Sequence, residues 1–237
     1  VFYKFKTSDK LNTIGELRSR LTVESSKNHK NENKKIFFWN NRNARRKQSG
    51  TLIWWFKEWL DKVGHSNAML LMHTDAKDPH GQDLEKIINE LNLTSGEVVF
   101  STSKLDPSKM GILYNTIDCT ISVSDAEGFG LSMLESLSCA KPIICTMTGG
   151  MQEQVTDGEN FFGIGIEPAS KAIIGSQEIP WIYEDRLNGE DVVQSLLKMY
   201  NMPKEERIKI GQMGYEHAEK NFSYDKYKSR WVEIIDG

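Results

Sequence analysis

Residues 122–135 decide the fold of this 237-residue chain, and they read Ser122-Val123-Ser124-Asp125-Ala126-Glu127-Gly128-Phe129-Gly130-Leu131-Ser132-Met133-Leu134-Glu135. A mostly apolar run, Cys119 to Val123, leads into the loop, and leucines recur at helical spacing after it. This pattern predicts a strand, a tight loop and a helix. Because Gly128 and Gly130 carry no Cβ, a ligand can approach the main chain closely, as is typical of a binding site.

The start of the predicted helix suits an anion. The first amides of a helix have no internal partners, and together with the positive end of the helix dipole they favour a phosphate. Glu127 lies before the helix and Glu135 lies about one and a half turns inside it, so neither can usefully face the phosphate. Carboxylates beside such a site can accept hydrogen bonds from sugar hydroxyls. The pair therefore indicates a ligand in which sugars flank a phosphate group.

The same stretch resembles a known motif. It contains Glu127-Gly128-Phe129-Gly130-Leu131, with Glu135 eight positions after Glu127, and is similar to the Glu-x7-Glu motif of retaining GT-B glycosyltransferases, most closely the family 4 type. Further segments resemble the rest of that family's donor site in order and spacing: Ala140-Lys141-Pro142-Ile143-Ile144, Gly149-Gly150, Glu153 and Asp157-Gly158. The resemblance extends over residues 35–237 and implies a Rossmann-like, donor-binding half of such an enzyme.

The resemblance also implies an activity and a set of roles. A hexosyl unit would move from a UDP- or GDP-linked sugar to an acceptor hydroxyl, with retained anomeric configuration and without a metal or cofactor. Glu127 is expected to contact the transferred sugar, and Glu135 is expected to accept hydrogen bonds from the ribose hydroxyls. The loop residues expected to bind sugar and phosphate, mainly through the main chain, are Gly128, Phe129, Gly130, Leu131 and Ser132.

Simpler explanations exist for each of these residues taken alone. Glu135 could be a surface residue of an amphipathic helix, Glu127 a partner of the helix dipole, and the Ser132 hydroxyl a helix cap. The two carboxylates together in this loop favour the binding site. Gly149-Gly150 ends the next predicted strand and could line the sugar pocket, but glycines in such a turn need no ligand to explain them.

A basic cluster follows the first predicted strand and reads Arg42-Asn43-Ala44-Arg45-Arg46-Lys47. It resembles the family's Arg and Lys pair, whose members contact the donor diphosphate, and Arg42 and Lys47 match them, with Arg46 as a substitute. Arg grips phosphate oxygens in a bidentate manner, and Lys adds a point charge that stabilises a departing diphosphate. The alternatives are a solvated basic turn and a nucleic-acid patch. Asn41 stands where the family usually has Gly.

Loops after other predicted strands could surround the base. His73 and Asp75 follow one of these strands, and residues 101–104 follow another. His65, His80 and His217 have no second ligand at metal spacing, so we expect surface residues and no metal site.

Composition narrows the protein class. Hydrophobic residues make up 38% and charged residues 27%, and six Trp argue against disorder. The formal net charge of −3 gives no general attraction to nucleic acid or anionic lipid. Three cysteines in apolar surroundings indicate reduced thiols and a cytoplasmic location. The sequence predicts no membrane span, signal peptide or initiator Met.

Strand and helix patterns alternate from Lys35 onward, which predicts an α/β fold with a doubly wound parallel sheet. The predicted strands are 36–40, 68–74, 98–101, 119–124, 143–147 and 161–166. The predicted helices are 11–21, 52–63, 84–91, 107–117, 131–140, 191–200, 205–221 and 224–235. Ligands bind beyond the carboxyl ends of such strands, where the Glu127 loop lies.

Three segments follow from this division. Residues 1–34 form a linker-proximal segment with a polar loop at 25–33, residues 35–222 the donor-binding domain, and residues 223–237 a crossover helix. Residues 168–188 form an insertion without an assigned role. The aromatic stripe of the last helix is expected to pack on the domain's own core, the alternative being a partner surface. An N-terminal acceptor domain is expected to be absent from this chain.

Three classes of function remain open at this point. The first is a retaining glycosyltransferase with an unknown acceptor, for which this chain supplies the donor site. The second is a non-catalytic module that binds a nucleotide sugar and needs a partner domain or chain. The third is an RNA-binding protein that uses residues 42–47, which the acidic net charge disfavours.

Overall fold

The computed structural model describes residues 11–24 and 33–236, without the side chains of residues 11–13, 23 and 24. The N-terminal stretch from Val1 and nearly all of the predicted polar loop lie outside the described residues. Helix α1 spans Leu11–Ser19 and continues as a π-helical turn over Arg20–Glu24, which confirms the first predicted helix.

Six parallel strands form the central sheet, as predicted. They are β1 (Lys35–Asn40), β2 (Ala68–His73), β3 (Val98–Ser101), β4 (Cys119–Ser122), β5 (Ile143–Thr146) and β6 (Gly163–Ile166). Their order across the sheet is β3-β2-β1-β4-β5-β6. All the pairings are parallel, with Phe37 of β1 opposite both Leu70 and Cys119. The fold is therefore a doubly wound α/β sheet, and the predicted fold class is confirmed.

Helices alternate with these strands and cover both faces of the sheet. They are α2 (Ser49–Val63), α3 (Leu84–Glu90), α4 (Pro107–Thr116), α5 (Leu131–Ser138), α6 (Met151–Val155), α7 (Gly189–Asn201), α8 (Lys204–Phe222) and α9 (Tyr224–Asp236). Three have a side-chain cap at the start, because Asp83 accepts from the Lys86 amide, Asp106 from the Lys109 amide and Asn188 from the Glu190 amide. The predicted helices are confirmed, with their ends shifted by a few residues.

Alternation along β1 divides the core between the two faces of the sheet. Phe37 and Trp39 point to the face of α2, where the Phe37 ring meets Trp59 edge-on with ring centroids 5.3 Å apart. Ile36 and Phe38 point to the other face. All four side chains are buried, so β1 is covered on both sides, as expected for a central parallel strand.

The strand order sets the position of the binding crevice. The chain runs outward in one direction from β1 to β3 and in the other from β4 to β6, so the order reverses between β1 and β4. Ligands bind in such sheets beyond the carboxyl ends of the strands at this reversal. The segments that leave these two ends are residues 41–48 and 123–130, which hold the predicted basic cluster and the Glu127 loop.

The predicted insertion at residues 168–188 forms an antiparallel hairpin. Its strands are β7 (Ser170–Ile173) and β8 (Tyr183–Arg186), with Ser170 opposite Arg186. Several apolar side chains near the turn are exposed, among them Ile179 and Trp181.

The last helix does not pack as predicted. Helix α9 has no buried residue, and Tyr227, Trp231 and Ile235 are 57%, 49% and 74% exposed. The expectation that its aromatic stripe packs on the domain's own core is therefore wrong. Helical spacing reports that a face is apolar but not which surface covers it, and here the body of the domain does not.

The cysteines are free thiols, as predicted. Cys119 and Cys145 are buried and Cys139 is partly buried. Burial raises the pKa of Cys139 and Cys145 to about 12, so these thiols are poor nucleophiles at neutral pH. Within the described part of the chain, no helix combines the length and the hydropathy needed to cross a membrane.

Close contact between α8 and the turn after α5 leads to a stability prediction. A Cβ on Gly211 of α8 would collide with the Ala140 carbonyl, whereas a Cβ on Gly15 of α1 would meet no atom within 4 Å. Gly211→Ala should lower the free energy of unfolding by about 1–3 kcal/mol through overpacking. The matched change Gly15→Ala should raise it by about 0.5–1 kcal/mol, because alanine favours a helix. Urea unfolding followed by circular dichroism measures both, and equal effects would contradict the packing.

Candidate active site

A cleft of about 350 Å³ lies at the reversal of strand order. It is bounded by the end of β1 on one side and by the loop and first turns of α5 on the other. Its lining residues are Asn40, Asn41, Glu127, Phe129, Gly130, Leu131, Ser132 and Glu135. The structure thus brings both predicted carboxylates and four of the predicted loop residues to one cavity.

The helix that borders the cleft begins at a left-handed glycine. Gly130 has φ +86° and precedes α5, and its carbonyl accepts the first helical hydrogen bonds, from the amides of Met133 and Leu134. The amides of Leu131 and Ser132 therefore precede the helical ladder and are available to a ligand. The first turn of α5 contains no acidic residue. This end of the cleft favours an anion.

Gly149 and Gly150 pack against the backbone of the loop that carries Glu127. A Cβ on Gly149 would collide with the Glu127 carbonyl, and the Gly150 amide donates to the Gly128 carbonyl at 3.0 Å. These glycines and Gly128 lie beside the lining residues of the cleft and are not among them. The small size of Gly149 and Gly150 lets two backbone segments touch, which accounts for these two glycines without a ligand.

Lys47 reaches the site by an ion pair with Glu127. It lies in a 3-10 turn, Arg45–Lys47, and its ammonium donates to Glu127 Oε2 while its side chain is 8% exposed. Burial lowers the pKa of Lys47, and the Glu127 carboxylate opposes part of that change. Arg46 donates to the Ala126 carbonyl at 2.7 Å and lies 3.5 Å from Glu127 Oε2. Two of the predicted phosphate-binding cations therefore adjoin the cleft.

Arg42 points elsewhere. Its guanidinium donates to both oxygens of Asp78, at 2.7 and 3.2 Å, and lies 2.7 Å from Nδ1 of His80. Asp78 raises the pKa of Arg42, and Arg42 in turn holds the pKa of Asp78 below its usual range. Arg42 is exposed and does not line the cleft. The basic cluster in the sequence showed a charge near the crevice but not the acidic partner 36 residues later that turns it away.

Glu135 is held by two residues that the sequence analysis missed. Tyr114 Oη donates to Glu135 Oε2 at 2.7 Å, and Asn40 Nδ2 donates to the same oxygen at 3.3 Å and to Tyr114 Oη at 3.0 Å. Both bonds end on Oε2, so among the described residues Oε1 has no donor and can accept from a ligand. Burial raises the pKa of Glu135, and the bonds from Tyr114 and Asn40 oppose that rise.

The remaining predicted positions are not among the lining residues of the cleft. His73 Nδ1 is 2.9 Å from Ser101 Oγ across the paired strands β2 and β3, and burial lowers the pKa of His73. His65 contacts Asp61 and Glu97, and His217 contacts the Glu153 carbonyl. In the ranges 11–24 and 33–236, no three His, Cys, Asp or Glu side chains are grouped closely enough to hold a metal ion.

One protein family matches most of this fold. The family described as glycosyl transferases group 1 matches residues 22–188, which include both sides of the cleft. The chain belongs to the group 1 glycosyltransferases.

Individual relatives agree with this assignment. A trehalose synthase from Pyrococcus horikoshii is 29% identical over 119 residues, which cover 50% of this chain and 23% of that protein. The C-terminal domain of a group 1 glycosyl transferase from Francisella tularensis superposes with a TM-score of 0.63 at 20% identity, covering 94% of this chain and 97% of that one. HepE from Anabaena, solved with UDP and glucose, gives a TM-score of 0.70 at 17% identity, covering 99% of this chain and 55% of that one.

These comparisons define what the chain is and how much of its relatives it spans. The structural neighbours are GT-B glycosyltransferases, so this group 1 domain has the predicted Rossmann-like GT-B fold. It spans less than a quarter of the trehalose synthase and about half of HepE.

The network around Glu135 in this group 1 domain leads to a pKa prediction. Tyr114→Phe keeps the ring that meets Phe38 edge-on with centroids 5.1 Å apart, and removes the O–H that stabilises the carboxylate. The carboxylate should lose about 1.5–3 kcal/mol of stabilisation, so the pKa of Glu135 should rise further. A carbon-13 NMR titration of the Glu135 carboxyl measures the change.

Tyr200→Phe is the matched control. It removes a hydroxyl from another ring, one that contacts Trp59 away from the cleft, and should leave the titration of Glu135 unchanged. A Glu135 pKa that does not move in Tyr114→Phe would show that Tyr114 does not hold this carboxylate.

Proposed function

We propose that this chain supplies the donor site of a retaining glycosyltransferase of the family 4 type. It would bind a UDP- or GDP-linked hexose and transfer the hexosyl unit to an acceptor hydroxyl. The observation that carries the proposal is one cleft in which a helix start and two carboxylates meet, with a buried lysine bonded to one of the carboxylates. HepE, a neighbour of the same fold, was solved with UDP and glucose, which supports a nucleotide sugar as the ligand.

The cleft offers a complementary group for each part of such a ligand. The amides of Leu131 and Ser132 at the start of α5 would bind the diphosphate. Glu135 would accept hydrogen bonds from the ribose through Oε1, because Oε2 is already bonded to Tyr114. Glu127 would accept from the hydroxyls of the transferred sugar. A sugar on each side of a diphosphate fits this sequence of groups.

The cations act on the leaving group. Negative charge accumulates on the nucleoside diphosphate as the glycosidic bond breaks, and fixed positive charges at that point lower the barrier. Lys47 and Arg46 adjoin the cleft and would provide that charge, so we propose a reaction without a metal ion. Arg42 would join them only after leaving Asp78, so we assign the diphosphate first to Lys47 and Arg46.

The acceptor side of the proposed reaction lies outside this cleft. We propose that an N-terminal acceptor domain supplies the acceptor side of the reaction, as the GT-B fold of the neighbours suggests, and that the exposed helix α9 belongs to the connection. Three free cysteines support a cytoplasmic location for this domain.

Calorimetry with this chain tests the donor site directly. UDP and GDP should each be titrated beside uridine and guanosine, followed by the matching glucose and mannose derivatives. We expect one diphosphate to bind more tightly than its nucleoside, and the sugar nucleotide to bind as well. No measurable binding of any of these would refute the proposal, and salt-sensitive RNA binding would favour the nucleic-acid alternative.

Transfer and binding are separated by a second measurement. Release of UDP or GDP from the sugar nucleotide, followed by coupled absorbance, reports hydrolysis or transfer by this chain. Binding without turnover would favour the alternative of a sugar-nucleotide module that needs a partner domain or chain for activity.

The ion pair between Lys47 and Glu127 predicts that removing the Glu127 charge raises the affinity for the diphosphate. Before the diphosphate can use the Lys47 ammonium, the ligand must compete with Glu127 for it. Glu127→Gln removes the competing charge, so the affinity for UDP or GDP should rise by about tenfold, or about 1.4 kcal/mol. The added affinity contributed by the sugar should fall, because a carboxylate acceptor is lost. Calorimetric dissociation constants for the diphosphate and its sugar derivative measure both effects.

Glu85→Gln is the matched control for this change. Glu85 also pairs with a lysine, Lys77 at 2.7 Å, but both are exposed and lie outside the lining of the cleft. It should leave both constants unchanged. A loss of diphosphate affinity in Glu127→Gln would refute the competition between Glu127 and the ligand.

A further inference from the structure

The hairpin at residues 168–188 is bonded to the loop at residues 123–130, which carries Glu127 and is called the donor loop below. The Asp185 amide of β8 donates to the Asp125 carbonyl at 2.8 Å, and Asp125 lies two residues before Glu127. Glu184 is 3% exposed, while its neighbour Tyr183 is 58% exposed, so one face of β8 is turned into the domain. The predicted insertion therefore contacts the loop that carries Glu127.

Glu184 joins the hairpin to the 3-10 turn Arg45–Lys47, which is called the basic turn below. Arg45 donates to both of its oxygens, at 2.8 and 2.6 Å, and Arg186 donates to Oε2 at 3.1 Å. A bidentate arginine and carboxylate pair fixes orientation as well as distance. Arg45 begins the same 3-10 turn that ends at Lys47, so this pair fixes the turn at the end opposite to Lys47. Arg45 holds the pKa of Glu184 below its ordinary value, and the carboxylate stays charged at neutral pH.

Asp125 closes the network on the side of the donor loop. Its side chain is 4% exposed, accepts from Gln48 Nε2 at 2.6 Å, and lies 3.0 Å from Nη1 of Arg186. Its amide donates to the Arg46 carbonyl at 2.8 Å. The loop and the basic turn are thus joined to each other and each is joined to β8.

We propose that β8 is a clamp that holds the basic turn in register with the donor loop, with Glu184 as a positioning residue that acts through Arg45. The clamp deepens the proposed function and rests on it, because the groups that it aligns are those assigned to the diphosphate and the sugar. Binding groups must be held to within about 0.5 Å by residues that are themselves fixed, and the turn alone has a largely exposed arginine at one end.

The alignment concerns only one end of the ligand. Arg45 connects the hairpin to the turn that holds Arg46 and Lys47, and Asp125 connects it to the loop that holds Glu127. Glu135 is fixed separately by Tyr114 and Asn40. Loss of the clamp should therefore weaken binding of the diphosphate and leave binding of the nucleoside unchanged. A general loss of stability would weaken both ligands together.

Arg45→Gln is the first test, because Arg45 is largely exposed and the variant should fold. UDP and GDP are titrated by calorimetry beside uridine and guanosine. With the diphosphate that the unaltered chain binds, we expect about tenfold weaker binding, and no change for its nucleoside. Lys57→Gln, which breaks the ion pair with Asp61 on α2, is the control and should change neither. An unchanged diphosphate constant in Arg45→Gln, or equal losses for both ligands, would overturn the clamp.

A second variant separates positioning from direct contact with the ligand. Glu184→Gln leaves Arg45 in place but removes the charge that holds it. If Arg45 itself bound the phosphate, its release should preserve or raise affinity, and this result would overturn the clamp. The clamp predicts a loss of about tenfold, with partial recovery in Glu184→Asp. Thermal unfolding checks that each variant is folded. If Glu184→Gln does not fold, the diphosphate affinity of Glu184→Asp alone decides between positioning and direct contact.

A double variant tests whether the effect passes through Lys47. In a Lys47→Gln background, Arg45→Gln should cause little further loss of diphosphate affinity, because the group that it positions is already gone. The same tenfold loss in both backgrounds would overturn this route. If the unaltered chain binds neither diphosphate, the proposed function fails and the clamp fails with it; if it binds and Arg45→Gln does not differ, only the clamp fails.

Discussion

The ion pair between Lys47 and Glu127 joins the two loops that leave the sheet where the strand order reverses. Each loop comes from a different strand, so the distance between them is not set by sequence proximity. A buried lysine is costly unless a carboxylate faces it, and here each group provides the partner that the other needs. The two loops therefore meet through this contact as well as through the bond from the Asp125 amide to the Arg46 carbonyl, and residues 41–48 and 123–130 are best considered as one unit.

The two ends of the cleft are stabilised in different ways. At one end, Glu127 is paired with the Lys47 ammonium, so the charge there is balanced within the protein. At the other end, Glu135 has neutral partners, Tyr114 and Asn40, and hydrogen bonds alone compensate for the burial of its charge. A ligand thus meets one carboxylate, Glu127, whose charge is paired with a lysine, and another, Glu135, whose charge is only partly compensated by hydrogen bonds. Burial raises the pKa of Glu135, and the hydrogen bonds from Tyr114 and Asn40 oppose that rise.

Much of the fold could be predicted because parallel strands that are buried on both faces read as continuous apolar runs, as in β2 and β5. The Glu127 loop could be placed because its glycines and the following helix are local in sequence. Tyr114 was missed because its contact with Glu135 spans 21 residues and depends on how α4 packs. Arg42 has the right charge, but Asp78 turns it away, and only the folded chain brings these residues together. For the same reason, the sequence could not show that residues 168–188 reach the donor loop.

The outer strands of the sheet affect how the chain behaves among its own copies. Both edges, β3 and β6, are four residues long, and β6 has glycine at positions 163 and 165. Unpaired edge strands act as templates for intermolecular sheet growth, and short edges limit that growth. Glycine also gives poor side-chain packing between stacked sheets. The described sheet is therefore poorly suited to seed fibrils, even though its interior strands are strongly apolar.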